Sequence, residues 1–327
     1  MMDLSVIIPT WNRRALLGEC LASIQAHTTG LTYELIVVDN GSSDGTVEMI
    51  QRGFPSVRLI RSDRNLGFAA GCNEGMRQAA GRYFALVNND TLLRENALGR
   101  LVSFMEEHPG AGAVGPLLRN HDGSVQRSAL RGFITPGTAL LGGEFLARFV
   151  RRLSPGAARW CAEMVVSPDG VPEPCQVAWV VGACIVVRRE AVLQAGGLDE
   201  NIFMYAEDME WCYRLKQNGW SVWYDPEASV VHLDHLATKD SAERVVSQNV
   251  AHQIYFYRKH KGAIPAFGLG LSLFLGSWMK LPGFVLGYGA SRVLRRREDP
   301  YLRFKIRYHY LALRYFFRLP CRQKGDA

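Results

Sequence analysis

The chain has 327 residues, 48% hydrophobic and 21% charged, with no low-complexity run and no fixed-period repeat, so it can build a large core and is neither a disordered chain nor a solenoid. Its net charge of +7 is unevenly spread: from Ser291 onward eleven basic residues oppose three acidic ones, so the tail carries +8 and the remainder is close to neutral. A basic tail suits phosphate-rich partners, either anionic lipid or nucleic acid.

Residues 4–8 form a short apolar run bounded by Pro9, the pattern of a buried parallel strand. Asn12 can cap a helix running through Leu17, Leu21 and Ile24. Residues 33–38 predict a second strand, stopping at a polar turn over 39–45, with a helix over 46–52. Residues 57–61 read as a third strand, 71–80 as a helix, and 83–87 as a fourth strand ending at Asn88, Asn89 and Asp90. This alternation predicts an α/β fold with a mainly parallel sheet flanked by helices, and ligands gather at the carboxyl ends of such strands. Residues 119–176 are less regular and read as a variable, partly helical insertion. Order returns with a strand over 177–187 broken by Gly182, a helix opening near Asp208, and strands over 220–224 and 228–232.

A helical linker is expected over 236–262, followed by an apolar helical hairpin and basic tail over 263–327. Residues 263–279 carry no charge, but these 17 residues lie at the lower limit for spanning a bilayer. A re-entrant or interfacial helical pair and a buried hairpin of core helices fit the same pattern. The arginines within 292–297 favour a membrane surface, cytoplasmic side, and a peripheral or monotopic attachment at the inner face of the cell membrane. The adjoining apolar stretch argues against a nucleic-acid partner. The seven cysteines are odd in number and form no C-x-x-C pair, which fits a reducing compartment and excludes a disulfide framework or zinc module. The first residues lack a basic and apolar leader, so no signal peptide is expected.

Four constellations stand out for chemistry. The turn over 39–46 offers carboxylate and amide acceptors to a ligand, or is a plain Asx cap. Asp90 ends a core strand, where a carboxylate can hold a divalent cation or merely cap a turn. Asp208 is either a helix N-cap or, beside Phe203, Met204 and Tyr205, a general base with an apolar wall. Glu210 and Arg214 read as an ordinary surface pair at i,i+4. His232 ends a strand and gains interest only if carboxylates converge on it.

Together, and in order, these pieces resemble the inverting glycosyltransferase family 2, of GT-A fold. The matching segments are Ser5-Val-Ile-Ile-Pro-Thr-Trp-Asn12, Val37-Val-Asp-Asn-Gly-Ser-Ser-Asp-Gly-Thr46, Asn65-Leu-Gly-Phe-Ala-Ala-Gly-Cys-Asn73, Leu86-Val-Asn-Asn-Asp-Thr91, Gly182-Ala183, Gly196-Gly-Leu-Asp-Glu200, Phe203-Met-Tyr-Ala-Glu-Asp208 and Pro226-Glu-Ala to His232. The resemblance covers a domain over 1–235 and is nearest to rhamnosyltransferase-like members. It implies that Asp39 contacts the nucleobase, with Pro9, Thr10 and Asn12 shaping the pocket. Asn65, Gly67, Asn73 and Asn89 would line the rest of the donor site. Asp90 and His232 would hold Mg²⁺ or Mn²⁺, Asp208 would be the base, and Glu207 and Trp179 would lie on the acceptor side. One departure is Asn88, where the family's Asp-x-Asp motif has its first Asp; an amide oxygen is a hard ligand but brings no charge.

The resemblance further implies a nucleotide-sugar donor, dTDP-rhamnose or a UDP-sugar. The acceptor would be a saccharide or lipid-linked saccharide in cell-surface polysaccharide synthesis. A non-catalytic nucleotide-sugar-binding scaffold at the membrane is the alternative, which the presence of Asp39, Asp90 and Asp208 opposes.

Overall fold

The computed structural model describes residues 2–126, 129–130, 132–141, 173–233, 239–295 and 300–316. Two compact units emerge, one gathering Met1–Phe133 with Ala162–Asp234 and the other Ile134–Cys161 with His235–Ala327.

The first unit is built on one sheet. Strands β1 (Leu4–Thr10), β2 (Tyr33–Asp39), β3 (Arg58–Arg61) and β4 (Tyr83–Val87) run parallel, linked by helices α1 (Arg14–His27), α2 (Thr46–Gly53) and α3 (Gly67–Gln78). The sheet continues through β5 (Thr91–Leu93), β6 (Ala111–Arg119), β8 (Cys175–Gln176), β10 (Cys184–Arg188) and β11 (Ser221–His232), in the order β3-β2-β1-β4-β10-β6-β11-β5 with β8 beside β11. Antiparallel β10 sits between β4 and β6. A separate pair joins β7 (Ala129–Leu130) to β9 (Trp179–Val180).

Helices cover both faces of the sheet. Alternate residues of a strand point to opposite faces. Val6, Ile8, Leu35 and Val37 therefore pack under α1, α2 and α4 (Ala97–Glu107), against Leu17, Ile24, Ile50 and Leu101. Ile7, Ile36 and Val38 pack on the other side with Cys72 and Met76 of α3, Ala191 of α6 (Arg189–Ala195) and Trp211 of α7 (Glu207–Gln217). Burial on both faces is why these strands read as unbroken apolar runs. The β1–α3 packing is tight enough that a Cβ on Gly75 would lie 2.3 Å from Ile7 Cγ2.

Several boundaries differ from expectation. The two strands over 220–224 and 228–232 are one, because β11 passes Pro226 through a register shift against β6 between Asp225 and Ser229. The strand over 177–187 is instead two, β9 and β10, lying in different sheets. The region 119–176 is not one insertion: β6 ends at Arg119, β8 joins the main sheet, and α5 (Pro136–Leu141) belongs to the second unit. Residues 142–172 lie outside the described residues.

In the second unit, α9 (Ala263–Arg295) packs against α5, α8 (Lys239–Lys261) and α10 (Pro300–Phe316). The linker expected over 236–262 is therefore, over Lys239–Lys261, part of this bundle. The apolar pair expected over 263–290 is one helix of 33 residues with Pro282 inside it. Proline removes one backbone donor, and α10 packs alongside to hold the helix together. Ala266, Leu269, Leu273 and Ser277 are buried, and Ser277 Oγ hydrogen-bonds His309 Nδ1 at 3.0 Å. The basic residues after 316 lie outside the described residues.

Candidate active site

The carboxyl ends of β1, β2 and β4 bring the first cluster together. Thr10 lies opposite Asp39 in register. Asn89 Nδ2 donates to Thr10 Oγ1 at 2.9 Å, which ties the β4 turn to the β1 end. Pro9 is buried in β1 beside Val38. Asn12 adopts φ 50°, accepts from Ser43 N at 2.8 Å and donates its own N–H to Ser42 Oγ at 2.9 Å. Asp39 is only 2% exposed and accepts from Ser42 N at 3.2 Å. The capping of α2 falls to Asp44, whose Oδ1 accepts from Thr46 N at 3.2 Å while Oδ2 accepts from Arg14 N at 3.0 Å. Asp39 thus ties down the turn at Ser42, while Asp44 meets the first N–H of α2.

The 65–73 segment forms the next wall. Asn65 Oδ1 accepts from Gly67 N at 2.9 Å, and Gly67 O accepts from Asn40 Nδ2 at 3.2 Å. Gly67 has φ 84°, and a Cβ there would lie 2.6 Å from Phe203 O. Phe68 N donates to that same carbonyl at 3.0 Å. Asn73 faces inward: its amide accepts from Leu198 N at 2.8 Å and donates to Leu198 O at 2.8 Å and Glu200 Oε1 at 2.9 Å. That makes Asn73 a brace for the 196–200 loop.

Asp208 is the second residue of α7, not its N-cap. The N-cap is Ala206, at φ 74° after Tyr205 at φ 69°, and it makes no side-chain cap bond. Left-handed backbone at two successive non-glycine residues is strained and marks functional loops. Asp208 Oδ2 accepts from Gly182 N at 2.9 Å and Oδ1 from Met209 N at 2.7 Å. Burial raises its pKa, and these two N–H bonds oppose the rise. Glu207 is pushed up by burial first and by the Asp208 charge second, and its Oε2 is buried without a hydrogen-bond partner. Asp208, held by two backbone N–H groups, is the member that ionises first, while Glu207 keeps the proton. Trp179, in β9 against α7, has a buried Nε1 that also lacks a partner. Glu210 and Arg214 are no surface pair: Glu210 is 0% exposed, and Arg214 Nη2 bonds both Glu210 Oε2 at 2.8 Å and Gly197 O at 2.6 Å.

Asp90, His232 and Asn88 converge. His232 Nε2 lies 3.4 Å from Asp90 Oδ1 and 3.4 Å from Asn88 Nδ2. Burial works against ionisation of Asp90, yet the His232 ring, when it carries a proton on Nε2, holds its carboxyl below the usual range. Asp90 Oδ1 is buried with no hydrogen-bond partner, as a carboxylate waiting for a cation is. The set supplies one carboxylate, one imidazole and one amide, and among the described residues no larger group of acidic, His or Cys side chains gathers. Such a set suits a hard divalent ion whose remaining ligands are phosphate oxygens of a substrate.

Backbone links the two centres. Asn88 N donates to Ala183 O at 2.9 Å, and the adjacent Gly182 N donates to Asp208. The sequence marks Gly182 as a glycine breaking an apolar run and as part of a matching segment, but the bond from its amide to Asp208 appears only in the fold.

The family model "Glycosyl transferase family 2" matches residues 5–159. The chain is 31% identical over 273 residues to the N-acetylglucosaminyl-diphospho-decaprenol L-rhamnosyltransferase of Mycobacterium tuberculosis (strain ATCC 25618 / H37Rv), covering 79% of this chain and 85% of the relative. It is 27% identical to the O-antigen biosynthesis protein RfbC of Myxococcus xanthus, over 73% of this chain and 18% of that one. Among solved structures it superposes on the mannosyltransferase PcManGT of Pyrobaculum calidifontis, in complex with GDP-Man and Mn²⁺, with a TM-score of 0.58 at 17% identity, covering 96% of this chain and 87% of that one. A second, GalNAc-T7 with UDP, GalNAc and Mn²⁺, gives a TM-score of 0.53 at 17% identity over 79% of this chain and 50% of that one.

Proposed function

The chain belongs to glycosyltransferase family 2 and has its GT-A fold; we propose that it moves rhamnose, with inversion, from dTDP-rhamnose to a lipid-linked saccharide. The observation that carries this reading is the Asp208 carboxylate, oriented by two backbone N–H groups and joined through Gly182-Ala183 to the Asp90–His232 pair. The sugar and acceptor class rest on the mycobacterial relative, whose name is that of a rhamnosyltransferase acting on a diphospho-decaprenol-linked saccharide.

Asp39, Pro9, Thr10, Asn12 and Asn89 hold the nucleotide at the strand ends, with Asn65 and Gly67 along the phosphate side. Asp208 takes the proton from the acceptor hydroxyl as its oxygen attacks the anomeric carbon. Glu207, still protonated, faces the acceptor side with Trp179, and their orphaned Oε2 and Nε1 await polar partners. Asp90, His232 and Asn88 would hold Mg²⁺ or Mn²⁺, which when bound neutralises charge on the departing diphosphate. The exposed apolar side of α9 attaches the chain to the inner face of the membrane, where lipid-linked acceptors lie.

Screening nucleotide-sugar donors against Asp208→Asn tests the assignment. The variant should bind donor as the parent does and lose about 10²–10⁴-fold in transfer rate. Transfer at the parental rate would sink the base assignment.

A further inference from the structure

A turn at the end of β6 connects to the imidazole through a one-way chain of hydrogen bonds. Asp122, in the turn over 120–124, is a carboxylate and only accepts. Its Oδ1 accepts from Ser124 Oγ at 2.5 Å. The Ser124 oxygen therefore accepts from Asn120 Nδ2, at 2.8 Å. With its NH₂ so placed, Asn120 presents Oδ1 to Gln126, whose Nε2 donates to it at 2.6 Å. The same Nε2 donates to His232 O at 2.7 Å. Both donors fix which way the Gln126 amide points. Its Oε1 faces His232 Nδ1 at 3.0 Å, a contact that is favourable only with the proton on Nδ1.

We infer that Gln126 is a positioning residue that keeps the His232 proton on Nδ1 and so presents the Nε2 lone pair to Asp90. On the Nε2 side the Asn88 amide agrees. Asn88 Nδ2 faces this nitrogen as a donor at 3.4 Å, and Asp90 Oδ1 stands 3.4 Å away as a second acceptor. Asp90 Oδ1 is the more distant of the two acceptors that compete for the ring proton, since Gln126 Oε1 stands 3.0 Å from Nδ1, and a cation between Asp90 and Nε2 satisfies both lone pairs. A metal-ligating imidazole commonly donates its other ring N–H to a fixed acceptor, and removing that acceptor weakens metal affinity about 10–100-fold. The turn over 120–126, set in a region whose sequence reads as variable, is thus a built part of the site. The inference rests on the reading of Asp90 and His232 as a cation site, but the position of the ring proton is measurable without a metal.

The test uses the full chain labelled with ¹⁵N-histidine, with His232→Gln identifying the signal. In metal-free parent protein at alkaline pH the neutral His232 ring should carry its proton on Nδ1. Gln126→Leu should remove that preference and weaken the affinity for Mn²⁺ alone about 10–100-fold, read by electron paramagnetic resonance. Gln126→Glu keeps an acceptor opposite Nδ1 and should retain the Nδ1 proton. Exposed Ser124→Ala cuts the chain two links away and should shift the tautomer ratio in the same direction as Gln126→Leu, by less. His121→Ala, in the same turn but outside the chain, should change neither measurement. An unchanged tautomer in Gln126→Leu overturns the inference, and if that variant does not fold, an unchanged ratio in Ser124→Ala does so. A parent protein with the Gln126-dependent Nδ1 proton but no Mn²⁺ affinity supports the positioning role and removes the cation reading instead.

Discussion

Asp208 and Glu207 are chain neighbours with different supports. Two backbone N–H groups stabilise the Asp208 anion, whereas Glu207 has a buried oxygen with no partner. As the proposed base Asp208 must be ionised for transfer, and burial raises its pKa. The rate should therefore fall as pH drops, with a midpoint above the ordinary aspartate range, in a pH profile of kcat; a midpoint at or below that range removes burial as the dominant influence. Glu207 has the opposite consequence for stability. Its folded-state pKa lies above the ordinary glutamate value because of burial, then Asp208. The folded chain thus holds a proton that the unfolded chain releases, and this contribution is complete below the ordinary value and lost as pH rises through the folded one. Glu207→Gln removes the dependence. The stability of the parent relative to the variant should decline with pH, at most by about 1.4 kcal/mol per pH unit. Parallel denaturation curves across that range would contradict a protonated Glu207.

At the scale of elements, the site depends on loops locked against each other. Gly67 begins α3 with φ 84° and leaves no room for a Cβ beside Phe203 O, the carbonyl that receives Phe68 N–H. A left-handed backbone costs an L-residue about 1–2 kcal/mol, and an added Cβ also pushes the Phe203 carbonyl away. Gly67→Ala should thus lower stability by at least about 1 kcal/mol and weaken donor binding, measured by calorimetric titration; unchanged donor affinity would detach this junction from the site. The same elements show what a sequence can disclose. β1, β2 and β4 were legible because both their faces are buried, and so were the polar turns at their ends. The start of α3 was placed four residues late, since Leu66 and Gly67 do not look like a helix start and the tertiary contact with Phe203 decides it. Arg214–Glu210 looked like a surface pair because spacing carries no information about burial. Gln126 was invisible as a site residue because its partner is 106 positions away. Pro226 and Pro282 suggested breaks that a bulge and a packed neighbour instead accommodate.

At the scale of the molecule, charge and apolar surface are both concentrated in the C-terminal region. Along α9, Ile264, Phe267, Leu271, Leu275 and Trp278 follow one another at spacings of three and four and are all exposed, Ile264 at 85% and Trp278 at 65%. That spacing puts them on one side of a helix. The opposite side, through Ala266, Leu269 and Leu273, is buried in its own unit. By length and composition this is the one helix among the described residues apolar enough to cross a membrane. A contiguous exposed apolar stripe usually marks an interaction surface, and a tail of net charge +8 favours an anionic one. The protein should therefore co-sediment with phosphatidylglycerol-containing vesicles. Phe267→Asp with Trp278→Asp should abolish that binding at any ionic strength, whereas added salt should weaken the parent's binding only in part, because the apolar contribution is not screened. Since both substitutions lie outside the catalytic unit, donor binding should persist in the variant while transfer to lipid-linked acceptor in vesicles falls. Vesicle binding that survives both substitutions and disappears entirely with salt would leave the tail, rather than α9, as the attachment.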